Sequence, residues 1–230
     1  MAPPGTQPCP AGRASDGPTA TDALLLLGQL CLDRGGPERQ QAVEWFRSAA
    51  RGGDARAINM LGRCHERGWG VAADPRKAAA YFRKAADLGD AWAMFNLADL
   101  HYRGEGVPRD DEAAYLLYAA AARKGHAKAL NMLGLLHEYG RGVPASEEHA
   151  RAYFLAAAEG GDCWGQFNYA RMLILSGATK DALPWLHRAL EGGFPDFFRA
   201  MADALAGHPD PKLQALARQA SALARQGATP

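Results

Sequence analysis

Apolar residues recur along most of this chain at spacings of three and four, the pattern of amphipathic helices. The helical stretches come in pairs. Between Ala127 and Asp162 one pair reads AKALNMLGLLHEYGRGVPASEEHARAYFLAAAEGGD, two apolar stripes separated by a Gly-Arg-Gly-Val-Pro turn. The same design stands 36 residues earlier, from Ala91 to His126, and again from Ala55 to Asp90. Leu61, Leu97 and Leu133 share one register position, and Gly62, Ala98 and Gly134 share the next. The second helices carry Ala78, Tyr81, Phe82, Ala85 and Ala86, then Ala114, Leu117, Tyr118, Ala121 and Ala122, then Ala150, Tyr153, Phe154, Ala157 and Ala158. A fixed period of this length means stacked units in which each buries its face against the next.

The punctuation agrees with the pattern. The turns are Gly68-Trp69-Gly70-Val71, Gly104-Glu105-Gly106-Val107-Pro108 and Gly140-Arg141-Gly142-Val143-Pro144. Glycine permits the positive φ that ends a helix, and proline cannot extend one. Asp74-Pro75 has the form of an N-cap and a first-position proline, with Asp110 and Ser146 in register. Gly89, Gly125 and Gly161 are expected to end the second helices. A glycine in mid-helix costs about 1 kcal/mol relative to alanine. Close approach of the next helix is the expected compensation at positions 62 and 134.

The remainder reads as degraded copies and tails. Residues 1–20 hold five prolines and no apolar period, so a disordered tail is expected, with Asp16 or Thr21 capping the helix after it. Residues 21–54 form an atypical first unit, residues 55–90, 91–126 and 127–162 the full units, and residues 163–194 a shortened unit. In that shortened unit the loop lacks four residues, Gly177 replaces the Gly-x-Gly turn, and Pro184 stands early in the second helix. Residues 195–225 are expected to supply two capping helices, and 226–230 a frayed end. The expected fold is an all-α solenoid of about five helix pairs.

Composition narrows the function classes. Net charge is +1, with no basic stripe, which argues against a nucleic-acid partner. The 4 cysteines form no C-x-x-C pair and no zinc-finger spacing, so reduced helix and tail thiols and no metal are expected. No apolar run reaches the ~18 residues of a membrane span, so no membrane partner is expected. The stretch Leu24 to Cys31 imitates an export signal but has too short an apolar core and a large Leu30 before the cysteine. The expected compartment is the cytoplasm, or the periplasm or exterior if the true start lies upstream. His65, His101 and His137 stand one per unit, in separate layers, where three ligands cannot meet one metal; packing at the helix–turn junction is expected. No nucleophile elbow, S-x-x-K or phosphate-binding loop is present, so neither an enzyme nor a cofactor is expected.

These repeats resemble the Sel-1-like repeat family, a relative of the tetratricopeptide repeats. The middle unit supplies Ala129, Leu133, Gly134, Gly140, Gly142, Val143, Ala150, Tyr153, Phe154, Ala157, Ala158 and Gly161 of the family pattern, and the likeness extends over about residues 23–206. The resemblance implies a right-handed α/α superhelix. It also implies a scaffold or adaptor for a protein or peptide, often in bacterial signalling, secretion or envelope regulation. An exported envelope-assembly or virulence protein of the same fold is one alternative, and a β-lactamase-like hydrolase another. Two departures stand out. Histidine replaces the usual tyrosine before the turn, and Cys64 has no cysteine partner in its unit, unlike the disulfide-stapled exported members.

Function is expected in what does not repeat. On the variable side of the first helices two units carry Trp92, Phe95, Asn96 and Asp99, then Trp164, Phe167, Asn168 and Arg171. The units that alternate with them carry Asn59 and Arg63, then Asn131, so a period of 72 overlies that of 36. Two readings stay open. The aromatics pack between neighbouring first helices, or they anchor a peptide in a concave groove whose asparagines bond its backbone.

Overall fold

The structure, a computed structural model, describes residues 19–227. Residues 1–18 of the expected tail and 228–230 of the expected frayed end lie outside the described residues. The described residues form twelve α-helices and no strand. They run α1 (Ala20–Arg34), α2 (Glu38–Arg51), α3 (Ala55–Arg67), α4 (Pro75–Asp87), α5 (Ala91–Arg103), α6 (Asp111–Arg123), α7 (Ala127–Tyr139), α8 (Glu147–Glu159), α9 (Cys163–Leu175), α10 (Thr179–Gly192), α11 (Pro195–Leu205) and α12 (Pro211–Gln226). Odd and even helices pair, and the pairs stack in chain order into an all-α solenoid. The array has six pairs, one more than the repeat count suggests, because the two capping helices pair with each other.

Local chemistry sets the helix ends. Asp74, Asp110 and Ser146 accept the backbone N–H groups of Lys77, Ala113 and His149 at 3.0, 2.9 and 3.2 Å. Gly68, Gly104 and Gly140 take the left-handed conformation just past α3, α5 and α7. At the start of the array the cap is Thr19, in a reciprocal box with Asp22, rather than Asp16 or Thr21. A box needs an acceptor three residues after the cap, and Asp22 has that relation to Thr19. Pro184 lies inside α10, with five helical residues before it.

Within each of the first four pairs, an aromatic ring of the second helix lies on the small residue of the first. A Cβ on Gly62 or Gly134 would stand 2.5 Å from the ring of Phe82 or Phe154, and one on Gly28 would overlap Phe46. All three rings are fully buried. Burying a phenylalanine contributes about 1.5–3 kcal/mol, which outweighs the roughly 1 kcal/mol glycine penalty. In α5 the position is Ala98, and its partner is the buried Tyr118, whose hydroxyl donates to Asp99.

Between pairs, the loops do the seating. Gly70 sits on the first turn of α2, Gly106 on that of α4 and Gly142 on that of α6, where a Cβ would overlap the carbonyls of Arg39, Pro75 and Asp111. Their φ angles are 69°, 71° and 69°, so glycine is required for conformation as well as for space. The link between α9 and α10, residues 176–178, is too short to form such a loop.

These two demands are separable. Gly142→Ala is expected to destabilise the fold by about 2–4 kcal/mol, through left-handed strain plus collision with rigid backbone. Gly161→Ala, at φ 84° with open space around it, is expected to cost about 1 kcal/mol. Urea unfolding followed by circular dichroism checks the ranking, and equal losses would refute the seated-loop account.

Candidate functional site

The first helices begin along one edge of the array, and the residues that end each repeat shape that edge. Asp90, His126 and Asp162 cap α5, α7 and α9. The glycines before them have no side chains to fill the space between layers. A groove of 330 Å³ results, lined by Gly125, Gly160, Gly161 and Gly192 and by the side chains of Trp92, His126, Lys128 and Phe194. Trp92 is 51 % exposed and Phe194 is 42 % exposed.

The groove is built around a buried histidine. His126 accepts the Ala129 N–H through Nδ1 at 3.3 Å, which places the proton of the neutral ring on Nε2. That nitrogen is buried and has no hydrogen-bond partner among the described residues. Its ring stacks on Phe95 at 4.6 Å between centroids and meets the edge of Trp92 at 4.4 Å. The Lys128 ammonium lies 5.6 Å from the Trp92 ring centroid. Burial, with Lys128 adding to it, pushes the His126 pKa down to about 4. Burial raises the Asp162 carboxyl above the usual carboxylate range, although its Oδ2 accepts the Gly165 N–H at 2.8 Å. Burial also pushes the thiols of Cys64 and Cys163 up to about 11, so both stay protonated at neutral pH.

Most of the residues named from the sequence hold neighbouring first helices together. Asn96 donates to Asn59 at 2.9 Å, and Asn168 donates to Asn131 at 2.8 Å. Asn59, Asn131, Asn168 and Phe167 are buried. The asparagines thus bond one another across repeat boundaries, and the 72-residue alternation is the spacing of these pairs. Trp164 meets Phe197 edge-on at 5.0 Å, and Arg171 pairs with Glu138 at 2.6 Å. Asp99 receives the Tyr118 hydroxyl, and the Arg63 guanidinium lies 5.1 Å from the Trp69 ring centroid. Of that set, Trp92, with Phe95 supporting it through His126, lines this groove, and Arg171 lines a second pocket beside the start of α8.

Sequence reasoning missed His126 and Phe194, while Lys128 lies on the variable side of the first helices that it singled out. A signal was there: position 126 breaks the aspartate register of 54, 90 and 162. His65 and His137 stack on Tyr81 and Tyr153, each at 5.5 Å, and their carbonyls accept the N–H groups of Asp74 and Ser146. That is packing at the helix–turn junction. No set of three or more His, Cys, Asp or Glu among the described residues could hold a metal ion. No helix among them is long and apolar enough to cross a membrane.

His126 makes stability depend on pH. Its folded pKa lies below the unfolded value of about 6.5, so its contribution is complete above pH 6.5 and is lost as pH falls towards 4. Between pH 7 and pH 4.5 the wild type is expected to lose about 2 kcal/mol more than His126→Asn, which caps without titrating. Parallel urea melts of the two chains measure this; equal losses would show that the ring is solvated.

The Sel1 repeat family profile matches residues 21–54, 55–90, 93–126 and 127–162. No curated protein matches the chain. Among solved structures, a Sel1 repeat protein from Oxalobacter formigenes is similar at 24 % identity and TM-score 0.75, over 90 % of this chain and 87 % of that one. A protective antigen of uropathogenic Escherichia coli with the SLR fold is 26 % identical at TM-score 0.66, over 90 % of this chain and 46 % of the antigen. An immunity protein from Pseudomonas aeruginosa is 20 % identical at TM-score 0.64, over 90 % and 81 % of the two chains. With repeat after repeat matching in register, and with helix pairs stacked as the period requires, this chain belongs to the Sel1 repeat family.

Proposed function

We propose that the protein is a non-catalytic scaffold that docks a protein or peptide segment along the starting edge of its first helices. The observation that carries this reading is the half-exposed Trp92 beside the groove it shares with Lys128 and Phe194. An indole fixed from behind by a buried histidine is rigid, and rigid aromatic anchors dominate binding energy at protein interfaces. Lys128 adds a positive charge at the rim, suited to an acidic or carboxylate-bearing group on the partner. The groove walls are helix ends and glycine turns, so docking requires little rearrangement.

Catalysis finds little support here. A general base works best with a pKa near the working pH, and His126 is pushed far below neutrality. The groove's thiol, Cys163, is pushed the other way.

Photo-crosslinking in the native cell tests the proposal. A benzoylphenylalanine at position 128 is expected to capture a discrete partner, whereas one at Arg83, on an exposed part of α4, is not. Trp92→Ala combined with Phe194→Ala is then expected to weaken binding of that purified partner by about tenfold or more. Equal capture from both positions, or unchanged affinity in the double variant, would overturn it.

A further inference from the structure

The other edge of the array holds a site of a different kind. Each Gly-x-Gly loop rests on the first turn of the preceding second helix, as the positions of Gly70, Gly106 and Gly142 show. The last of these is the best defined. Arg141, between the two glycines, reaches back to Asp111 at the start of α6, with Nη2 at 2.7 Å and Nε at 3.1 Å from the carboxylate. Its guanidinium lies 3.8 Å from the Tyr102 ring centroid. Val143 then packs against the core that contains Ala114 and Leu136.

The next loop in the series would rest on the start of α8, but residues 176–178 are too few to reach it. The place is open. It is a pocket of 440 Å³ bounded by the end of α7, the start of α8 and one side of α9. Its chemistry repeats that of the filled place at α6, whereas Arg39 and Pro75 stand where Asp111 does at α2 and α4. Glu147 stands 36 residues after Asp111, in the position that receives the arginine, and Glu138 stands 36 after Tyr102. Glu138 is already bonded to Arg171. Glu147 makes no ion pair among the described residues. Met172 and Leu175 supply an apolar wall, and Leu175 is 77 % exposed. The pocket lies about 15 Å along α7 from the Trp92 groove, given the ten-residue step from Lys128 to Glu138.

We propose that this pocket receives a loop of another protein in which a basic residue stands between small residues and is followed by an aliphatic one. The loop would complete the solenoid's own series, its cation on Glu147 and its aliphatic side chain on Met172 and Leu175. The complementarity of charge comes from the protein itself, since Arg141 on Asp111 is the same contact one repeat earlier. A second copy of this chain is a poor occupant, because its Gly70, Gly106 and Gly142 loops are seated on their own helices.

The test uses the capped peptide Tyr-Gly-Arg-Gly-Val-Pro, the sequence of residues 139–144, titrated into the full isotope-labelled chain and followed by amide chemical shifts. The proposal expects saturable shifts centred on Glu147, Met172 and Leu175. It expects binding at least about tenfold weaker when the peptide carries Arg141→Glu, since a charge-assisted contact is lost. In the chain, Glu147→Lys is expected to reverse the preference between the two peptides. Inserting Gly-Arg-Gly-Val after Ser176 should abolish binding, because the chain then fills its own pocket. The wild-type comparison of the two peptides stands even if a variant fails to fold. Absence of saturable binding, equal affinity for both peptides, or shifts centred on Trp92 would each overturn the proposal.

Discussion

An aromatic ring resting on a bare α-carbon sets the spacing within three of the six helix pairs, α1–α2, α3–α4 and α7–α8. Gly28, Gly62 and Gly134 each give up a side chain so that Phe46, Phe82 and Phe154 can lie against the helix backbone. Gly70 and Gly142, in the turns of two such pairs, seat on helix starts of the preceding pair, and Gly106 does the same from the pair that carries Ala98. The one full repeat that departs from the pattern, with Ala98 and Tyr118, adds a hydroxyl contact to Asp99 in the same layer.

Short-range pattern made much of this legible. Caps, left-handed glycines and apolar stripes act over three or four residues, and periodicity reads such contacts directly. The contacts across repeats were harder to read. Asn59 and Asn96 meet over a separation of 37 residues, as do Asn131 and Asn168. Both the packing of first helices against each other and the opening of a groove predict variable residues on that face. Only the direction of each side chain separates the two, and Phe167 turns inward where Trp92 stays half outside. His126 was hidden for another reason. Its role depends on a buried ring between Phe95 and Trp92, and a cap position alone does not announce that.

The places available for recognition are those where the repeat stops being a repeat. At one edge, histidine replaces aspartate as a cap, and repeat-ending glycines leave the Trp92 groove. At the other, a shortened loop leaves the start of α8 uncovered. The second follows from the stacking logic, since a regular array would have filled it. The exposed Leu26, Leu27 and Leu30 lie on α1, the first of the described helices.

The central claim is that the glycine is present because of the ring. A double-mutant cycle between Gly134→Ala and Phe154→Ala tests it directly, with stability read from urea unfolding. With Phe154 present, the added methyl group collides with the ring, a cost of about 1–3 kcal/mol. With Phe154 removed, the same alanine should stabilise α7 through its helix propensity, by up to about 1 kcal/mol. A change of sign, with a coupling of at least about 1 kcal/mol, is the predicted result. The same effect of Gly134→Ala in both backgrounds would contradict the account.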